Sequence, residues 1–152
     1  MEAINIHELE LAEGWADDEE TVRARFSFPI TAASGAASTS VVYFELEPGN
    51  RLSLHTHTAE EVLLIVEGTA EAIVRERSTA MSAGGMALIP ANVVHDVVNA
   101  GSDTLRCVGF FSSAVILNRY DHDIMPMGGR VLVFPPPDAF ENEAADRVAV
   151  NR

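Results

Sequence analysis

Residues 49–68 hold three potential metal ligands at close spacing, and no other stretch constrains the fold as strongly. His55 and His57 are two positions apart, so in a β-strand both imidazoles point to the same face. The apolar, β-branched run over residues 62–66 predicts a second strand, with Glu61 at its start. We expect the two strands to form a hairpin that folds Glu61 back towards the histidines.

A second stretch, residues 84–99, supplies a fourth potential ligand. Its pattern predicts a strand over residues 86–89, a turn over residues 90–92 and another strand over residues 93–98 that contains His95. A histidine among valines is costly to bury with an unpaired nitrogen. A metal shared with the other three residues would supply the partner of that nitrogen.

These two stretches resemble the paired motifs of the cupin family. The first motif, G(X)5HXH(X)3,4E(X)6G, is matched at every fixed position, by Gly49, His55, His57, Glu61 and Gly68. The second motif, G(X)5PXG(X)2H(X)3N, is matched by Gly84, Pro90, His95 and Asn99. Asn92 stands where this motif has glycine. Because asparagine tolerates a left-handed backbone better than most residues, we expect the turn to form.

The resemblance implies an all-β fold, a single cupin-type, jelly-roll-like β-barrel whose mouth holds a metal centre. The ligands would be His55, His57, Glu61 and His95, because the neighbouring Glu60 does not fit the motif spacing. Three imidazoles and one carboxylate suit Fe(II), Mn(II), Co(II), Ni(II), Cu(II) or Zn(II). We therefore expect one divalent transition metal per chain, and the ligand set alone does not choose among these ions.

Two functions are compatible with such a site. If the family's usual octahedral arrangement holds, four protein ligands leave two adjacent positions open, for a bidentate substrate or for a substrate and dioxygen. This favours a metal-dependent oxygenase, a dioxygenase in particular, that acts on a small metal-chelating organic substrate. The alternative is a non-catalytic cupin that binds a small molecule or a metal.

The expected cavity lining follows from the inward parity of the ligand strands and is mostly apolar. It comprises Ser53, Leu63, Ile65, Val93 and Val97, joined by Val42, Phe44 and Leu46. We expect no tyrosine or lysine at these positions to act as a general base. The one arginine expected near enough to bind a substrate carboxylate is Arg51.

The chain as a whole is of single-domain size, with 152 residues of which 47% are hydrophobic. We predict one domain over residues 1–152, with a core barrel at about residues 22–134, an N-terminal extension and a C-terminal tail. The net charge of −13 would repel nucleic acid and anionic membranes, so we expect neither as a partner. The single cysteine, Cys107, and the lack of an N-terminal targeting pattern favour the cytoplasm.

Apolar alternation predicts further strands over residues 22–28, 40–47, 104–112, 113–120 and 130–134. The strand over residues 104–112 is apolar on both faces, and we predict a homodimer that covers it. Residues 75–85 are polar and are expected to form a loop. Asp121, His122 and Asp123 are expected to form a polar turn rather than a second site.

Overall fold

The computed structural model describes residues 3–138, which form two antiparallel β-sheets of six strands each. The strands are β1 Ala12–Trp15, β2 Arg23–Ile30, β3 Ser40–Leu46, β4 His55–His57, β5 Glu61–Glu67, β6 Thr69–Val74, β7 Arg77–Ser82, β8 Met86–Ile89, β9 His95–Asn99, β10 Leu105–Phe111, β11 Ile116–Ile124 and β12 Gly129–Phe134. The first sheet has the order β1-β2-β3-β10-β5-β8, and the second has the order β12-β11-β4-β9-β6-β7. The predicted all-β jelly-roll architecture is confirmed.

The described residues contain two short 3-10 helices, Ile6–Glu8 and Ala32–Ser34. Neither of them is long enough to cross a membrane. The second begins at Thr31, whose hydroxyl accepts a hydrogen bond from a backbone amide of the turn and so stabilises its start. The connection between β2 and β3 therefore contains a capped helical turn.

The strands that carry the potential ligands alternate between the two sheets, and the predicted hairpin is wrong. The histidine strand β4 pairs with β9 and β11 in the second sheet. The following strand β5 pairs with β10 and β8 in the first sheet. Residues 58–60 carry the chain from one sheet to the other, so Glu61 reaches the histidines across the interior of the barrel.

Inward-facing apolar side chains of both sheets fill the space between them. Leu46, Leu63, Ile65, Leu105 and Ile116 have no solvent exposure. They pack in one continuous cluster that draws on β3, β5, β10 and β11. Burying each such side chain contributes about 1.5–3 kcal/mol to stability, so the core does not depend on a bound ion.

The turns of the two motifs adopt left-handed backbone conformations. The motif residues Gly49, Gly68 and Gly84 have φ angles of 82°, 91° and 85°, which glycine adopts without steric cost. Asn92 has a φ angle of 60°, and its backbone N–H donates a hydrogen bond of 2.8 Å to the backbone carbonyl of His57. The prediction that asparagine replaces the motif glycine without loss of the turn is confirmed.

Three other predictions differ from the structure. The expected loop over residues 75–85 contains β7, which pairs along its length with β6. This strand was not predicted because its side chains are polar and mostly exposed, so it lacks apolar alternation. Residues 121–123 lie inside β11 rather than in a turn. Strand β2 continues through Pro29, where the register shifts at a bulge. In the N-terminal extension, β1 adds an edge strand to the first sheet beside β2, and the predicted tail over residues 139–152 lies outside the described residues.

Candidate metal centre

Three imidazoles from neighbouring strands of the second sheet converge in the barrel interior. His55 and His57 lie on β4, and His95 lies on β9 directly opposite His55. All three side chains are buried, and their potential ligand atoms lie within 4.8 Å of one another. Such a cluster of three histidines in this fold indicates a site for a divalent metal ion.

Hydrogen bonds fix the tautomer of each imidazole. The Nδ1 atoms of His55, His57 and His95 lie 2.8, 2.7 and 2.8 Å from the backbone carbonyls of Ser53, Ala59 and Val93. A carbonyl oxygen only accepts hydrogen bonds, so each Nδ1 carries the proton and donates. In the neutral form each Nε2 therefore presents a lone pair, which is the atom that binds a metal.

The fourth predicted ligand lies on the opposite sheet with its carboxylate against these lone pairs. The Oε2 atom of Glu61 is 2.9 Å from Nε2 of His57 and 3.8 Å from Nε2 of His95. Two acceptors at such a distance repel unless a proton or a metal cation lies between them. Nε2 of His95 is buried and has no hydrogen-bond partner among residues 3–138. Both features fit a shared cation. The rival Glu60 is exposed to solvent.

Burial keeps the histidines in the form that binds a metal. It lowers the pKa of His55 to about 4, with a smaller contribution from the nearby His57. It also lowers the pKa of His95 to about 3, with His55 as the next cause. Both imidazoles are therefore neutral at pH 7, and a cation need not displace a proton from either of them.

Space for the Glu61 carboxylate depends on a glycine of another strand. Gly109 lies on β10 opposite Leu63 of β5, and a Cβ atom at this position would stand 2.2 Å from Oε1 of Glu61. No side chain fits there without moving the carboxylate. Gly109 lies outside both motifs, and no sequence pattern distinguishes it.

A polar network supports the start of the histidine strand. Ser53 has a φ angle of 95°, a strained conformation for a residue with a side chain. Its hydroxyl bonds to Asp121 of β11, while its carbonyl accepts from His55. The buried carboxylate of Asp96 holds Arg51, with Nε and Oδ2 2.6 Å apart. Arg51 is thus engaged by the protein, and the prediction that it serves a substrate carboxylate is not supported.

Asp121, His122 and Asp123 are tied to three separate partners. Asp121 bonds to Ser53, and Nδ1 of His122 lies 2.9 Å from Oδ1 of Asp18. Asp123 forms an exposed ion pair with Arg130 at 3.4 Å. Nε2 of His122 also lies 3.7 Å from Oδ1 of Asp121, whereas Asp123 faces Arg130.

The metal centre opens into a cavity of about 80 Å³. Val42, Phe44 and Val97 line it as predicted. The other predicted lining residues do not: Leu46, Leu63 and Ile65 have no solvent exposure, Ser53 bonds to Asp121, and Val93 lines a separate surface pocket. Most of the wall is aromatic or aliphatic, including Phe26, Phe28, Phe111, Leu132 and Phe134.

Two polar residues of β11 also face this cavity, and sequence analysis missed both. Tyr120 stacks on the imidazole of His55, with ring centroids 5.1 Å apart and planes 19° apart. Burial, and to a lesser degree the charge of Glu61, raises the pKa of Tyr120 well above its usual value, so its hydroxyl stays protonated and can donate. Asn118 lies two residues earlier on the same strand. Ile116, Asn118 and Tyr120 alternate along the strand and so share one face. Because no predicted ligand lies on this strand, the sequence did not show that this face points into the barrel.

Comparison with known proteins identifies the same fold. Residues 42–111 match the family model described as the cupin domain. No curated protein sequence matches the chain significantly. Among solved structures, a polyketide cyclase from Streptomyces resistomycificus is 19% identical with a TM-score of 0.60, over 73% of this chain and 78% of the cyclase. A cupin-like protein from Thermotoga maritima is 25% identical with a TM-score of 0.58, over 69% of this chain and 80% of that protein.

An oxalate decarboxylase from Lactobacillus farciminis, solved as a formate complex, is 22% identical with a TM-score of 0.64. The aligned part covers 76% of this chain and 34% of the decarboxylase, so the chain spans about a third of that enzyme. Identities this low show a shared fold and leave activity open. The two motifs, the match of residues 42–111 to the cupin-domain model and the shared fold together support a small protein of the cupin superfamily.

Proposed function

We propose that this protein is a metal-dependent dioxygenase that acts on a small, largely apolar substrate able to chelate the metal. One observation carries the proposal: three buried imidazoles converge beside the Glu61 carboxylate, and His55, Glu61 and His95 form the polar end of a mostly apolar cavity. His55, His57, Glu61 and His95 would hold the ion. A bound divalent transition metal would supply Lewis acidity and, if redox-active, dioxygen chemistry.

The size of the cavity limits the substrate. A cavity of about 80 Å³ suits a small molecule rather than an extended one. The aromatic and aliphatic wall excludes water from the polar end and favours an apolar substrate body. Larger substrates would have to extend towards the opening of the cavity.

The polar groups of the cavity limit the chemistry. Glu61 is the only carboxylate among the described residues that line it, and the chain contains no lysine. Tyr120 is protonated and is a donor rather than a base. No lining side chain except a metal ligand is thus free to accept a proton. A substrate that binds as a readily formed anion, such as a β-diketone or an enediol, suits this site.

The test begins with metal analysis of protein produced without added metal. The protein is then loaded anaerobically with Fe(II) and mixed with pentane-2,4-dione, and the absorption spectrum is recorded before oxygen is admitted. The proposal expects a new charge-transfer band and then oxygen consumption, both absent in His57→Ala. Mn(II), Ni(II) and Cu(II) are screened in parallel, with Zn(II) as the redox-inert control. Full occupancy by Zn(II) with no oxygen uptake for any metal would favour the non-catalytic binding protein instead.

The outer face of the first sheet supports the further proposal of a homodimer. Phe110 of β10 lies opposite Val62 of β5, which lies opposite Leu88 of the edge strand β8. These three side chains and Met86 are exposed and form an apolar row. A second copy of the chain would bury this row and cover the edge strand. We also propose that the chain forms one domain and acts in the cytoplasm, the latter supported by its single buried cysteine, Cys107.

A further inference from the structure

Asn118 places a buried amide in the cavity without a partner. Its side chain is 4% exposed and lines the cavity beside the metal centre. The Nδ2 atom forms no hydrogen bond with any group in residues 3–138. Buried amides nearly always have partners, because an unpaired one destabilises the fold. The amide therefore has a donor to offer to a ligand.

The position of Asn118 places its amide beside the ligand-binding end of the cavity. Strand β11 lies next to the histidine strand β4, with Asn118 opposite His57 and Tyr120 opposite His55. Side chains in directly opposed positions lie about 4.5–5.5 Å apart at their Cβ atoms. The donors of β11 thus form a row beside the imidazoles, within reach of a small molecule held there.

The far part of the cavity has the opposite character. Phe134 of β12 stacks on Phe28 of β2, with ring centroids 4.2 Å apart. Phe26 packs against the edge of Phe134 at 5.9 Å. These rings join β2 of the first sheet to the edge strand β12 of the second and give the cavity an aromatic end. One molecule would meet hydrogen-bond donors at one end and aromatic rings at the other.

We propose that Asn118 is a specificity residue whose amide donates a hydrogen bond to an oxygen atom of the substrate, beside the metal centre. The substrate class is a small molecule with a carbonyl or carboxylate oxygen at one end and an apolar, preferably unsaturated, body at the other. This inference rests on the proposed function for the site, but it concerns a residue that binds no metal. It explains why an amide that costs stability stands at this position.

Ligand titrations of Co(II)-loaded protein test the proposal. Asn118→Leu keeps the approximate size of the side chain and removes the donor. We expect unchanged Co(II) content, about tenfold weaker binding of pentane-2,4-dione, and unchanged binding of imidazole, a metal ligand without an oxygen acceptor. Equal weakening for both probes would show a merely structural role, and no weakening for either would show that the amide does not contact the ligand. Either result overturns the proposal.

Unfolding of the chelator-treated protein is a second test of the proposal that does not depend on the metal. An unpaired buried amide replaced by leucine should raise the denaturation midpoint. The matched control is Asn99→Leu, since the buried Asn99 amide donates to the carbonyls of Leu46 and Asp103 at 2.8 Å and its loss should lower the midpoint. If the protein binds no metal, the proposed function fails, and this comparison still decides the role of Asn118. A lower midpoint for Asn118→Leu would mean that the amide is paired within the fold and would overturn the inference.

Discussion

The two sheets contribute to the candidate metal centre in different ways. The second sheet supplies three imidazoles, and each is held by a backbone carbonyl only two residues away, at Ser53, Ala59 and Val93. The first sheet supplies one carboxylate, Glu61, whose place depends on a gap that Gly109 leaves on another strand. One half of the site is thus built by local backbone geometry, and the other half by tertiary packing.

Mutations in the two halves of the site should therefore affect metal binding in different ways. Loss of an imidazole removes a ligand and leaves its neighbours in place, because each neighbour has its own carbonyl partner. A change at Gly109 leaves every ligand in the sequence but displaces one of them. The predictions below use this contrast, beginning with the largest expected effect.

Replacing His57 or His95 with alanine should have the largest effect. Either change removes a neutral ligand from a centre of four, so we expect the affinity for a divalent transition metal to fall more than a hundredfold. The barrel should remain folded, since its apolar core lies apart from the ligands. Metal content by mass spectrometry and circular dichroism check the two statements. Full metal content in both variants would exclude these residues as ligands.

Replacing Gly109 with alanine should weaken metal binding without removing any ligand. The new Cβ would collide with the Glu61 carboxylate, and we expect about a 10–100-fold loss of affinity, the usual size of a positioning effect. Gly129→Ala in β12 is the matched control, because no atom lies within 4 Å of that position.

The double variant sharpens this test. If Gly109 acts only through Glu61, combining Gly109→Ala with Glu61→Gln should weaken binding no more than Glu61→Gln alone. Two results would contradict the proposed role of Gly109 in positioning Glu61. One is a loss of metal affinity in the double variant that equals the sum of the single losses, and the other is wild-type affinity in a folded Gly109→Ala protein.

The buried histidines should also determine how the free energy of unfolding of the chelator-treated protein depends on pH. The unfolded chain protonates its histidines near pH 6.5, whereas the folded pKa values of His55 and His95 are about 4 and about 3. The unfolded state therefore binds more protons between these limits, and stability should fall as the pH drops from about 6.5 towards 4. Urea unfolding at a series of pH values measures the slope. The slope of unfolding free energy against pH should be shallower in His95→Gln. An equal slope in the wild-type and variant proteins would contradict the low folded-state pKa of His95.

The smallest predicted effect on the site concerns the outer face of the first sheet. Leu88→Arg places a charge in the exposed apolar row and should convert the homodimer to a monomer of 16.4 kDa, with little change in metal content. Light scattering gives the mass. Thr79→Arg on the outer strand β7 of the second sheet is the control and should leave the mass unchanged. A monomeric wild-type protein at micromolar concentration would contradict the proposed dimer.

The same contrast explains how much could be predicted from the sequence. The spacing of His55 and His57 and the valines around His95 predict local strand geometry, and the structure brings these residues together. The path of Glu61 could not be predicted in this way, because the expected hairpin depends on which sheet each strand joins, and that is decided by long-range packing. Tyr120 and Asn118 were missed for the same reason, since the strand that carries them contains no ligand.

X-ray absorption spectroscopy of metal-loaded protein tests the central claim most directly, because it counts the imidazoles bound to the ion. The account predicts one ion per chain with scattering from three imidazoles and an additional oxygen, and a count reduced to two imidazoles in His57→Ala. Fewer than three imidazoles in the wild-type protein, or an ion bound by oxygen atoms alone, would contradict the account.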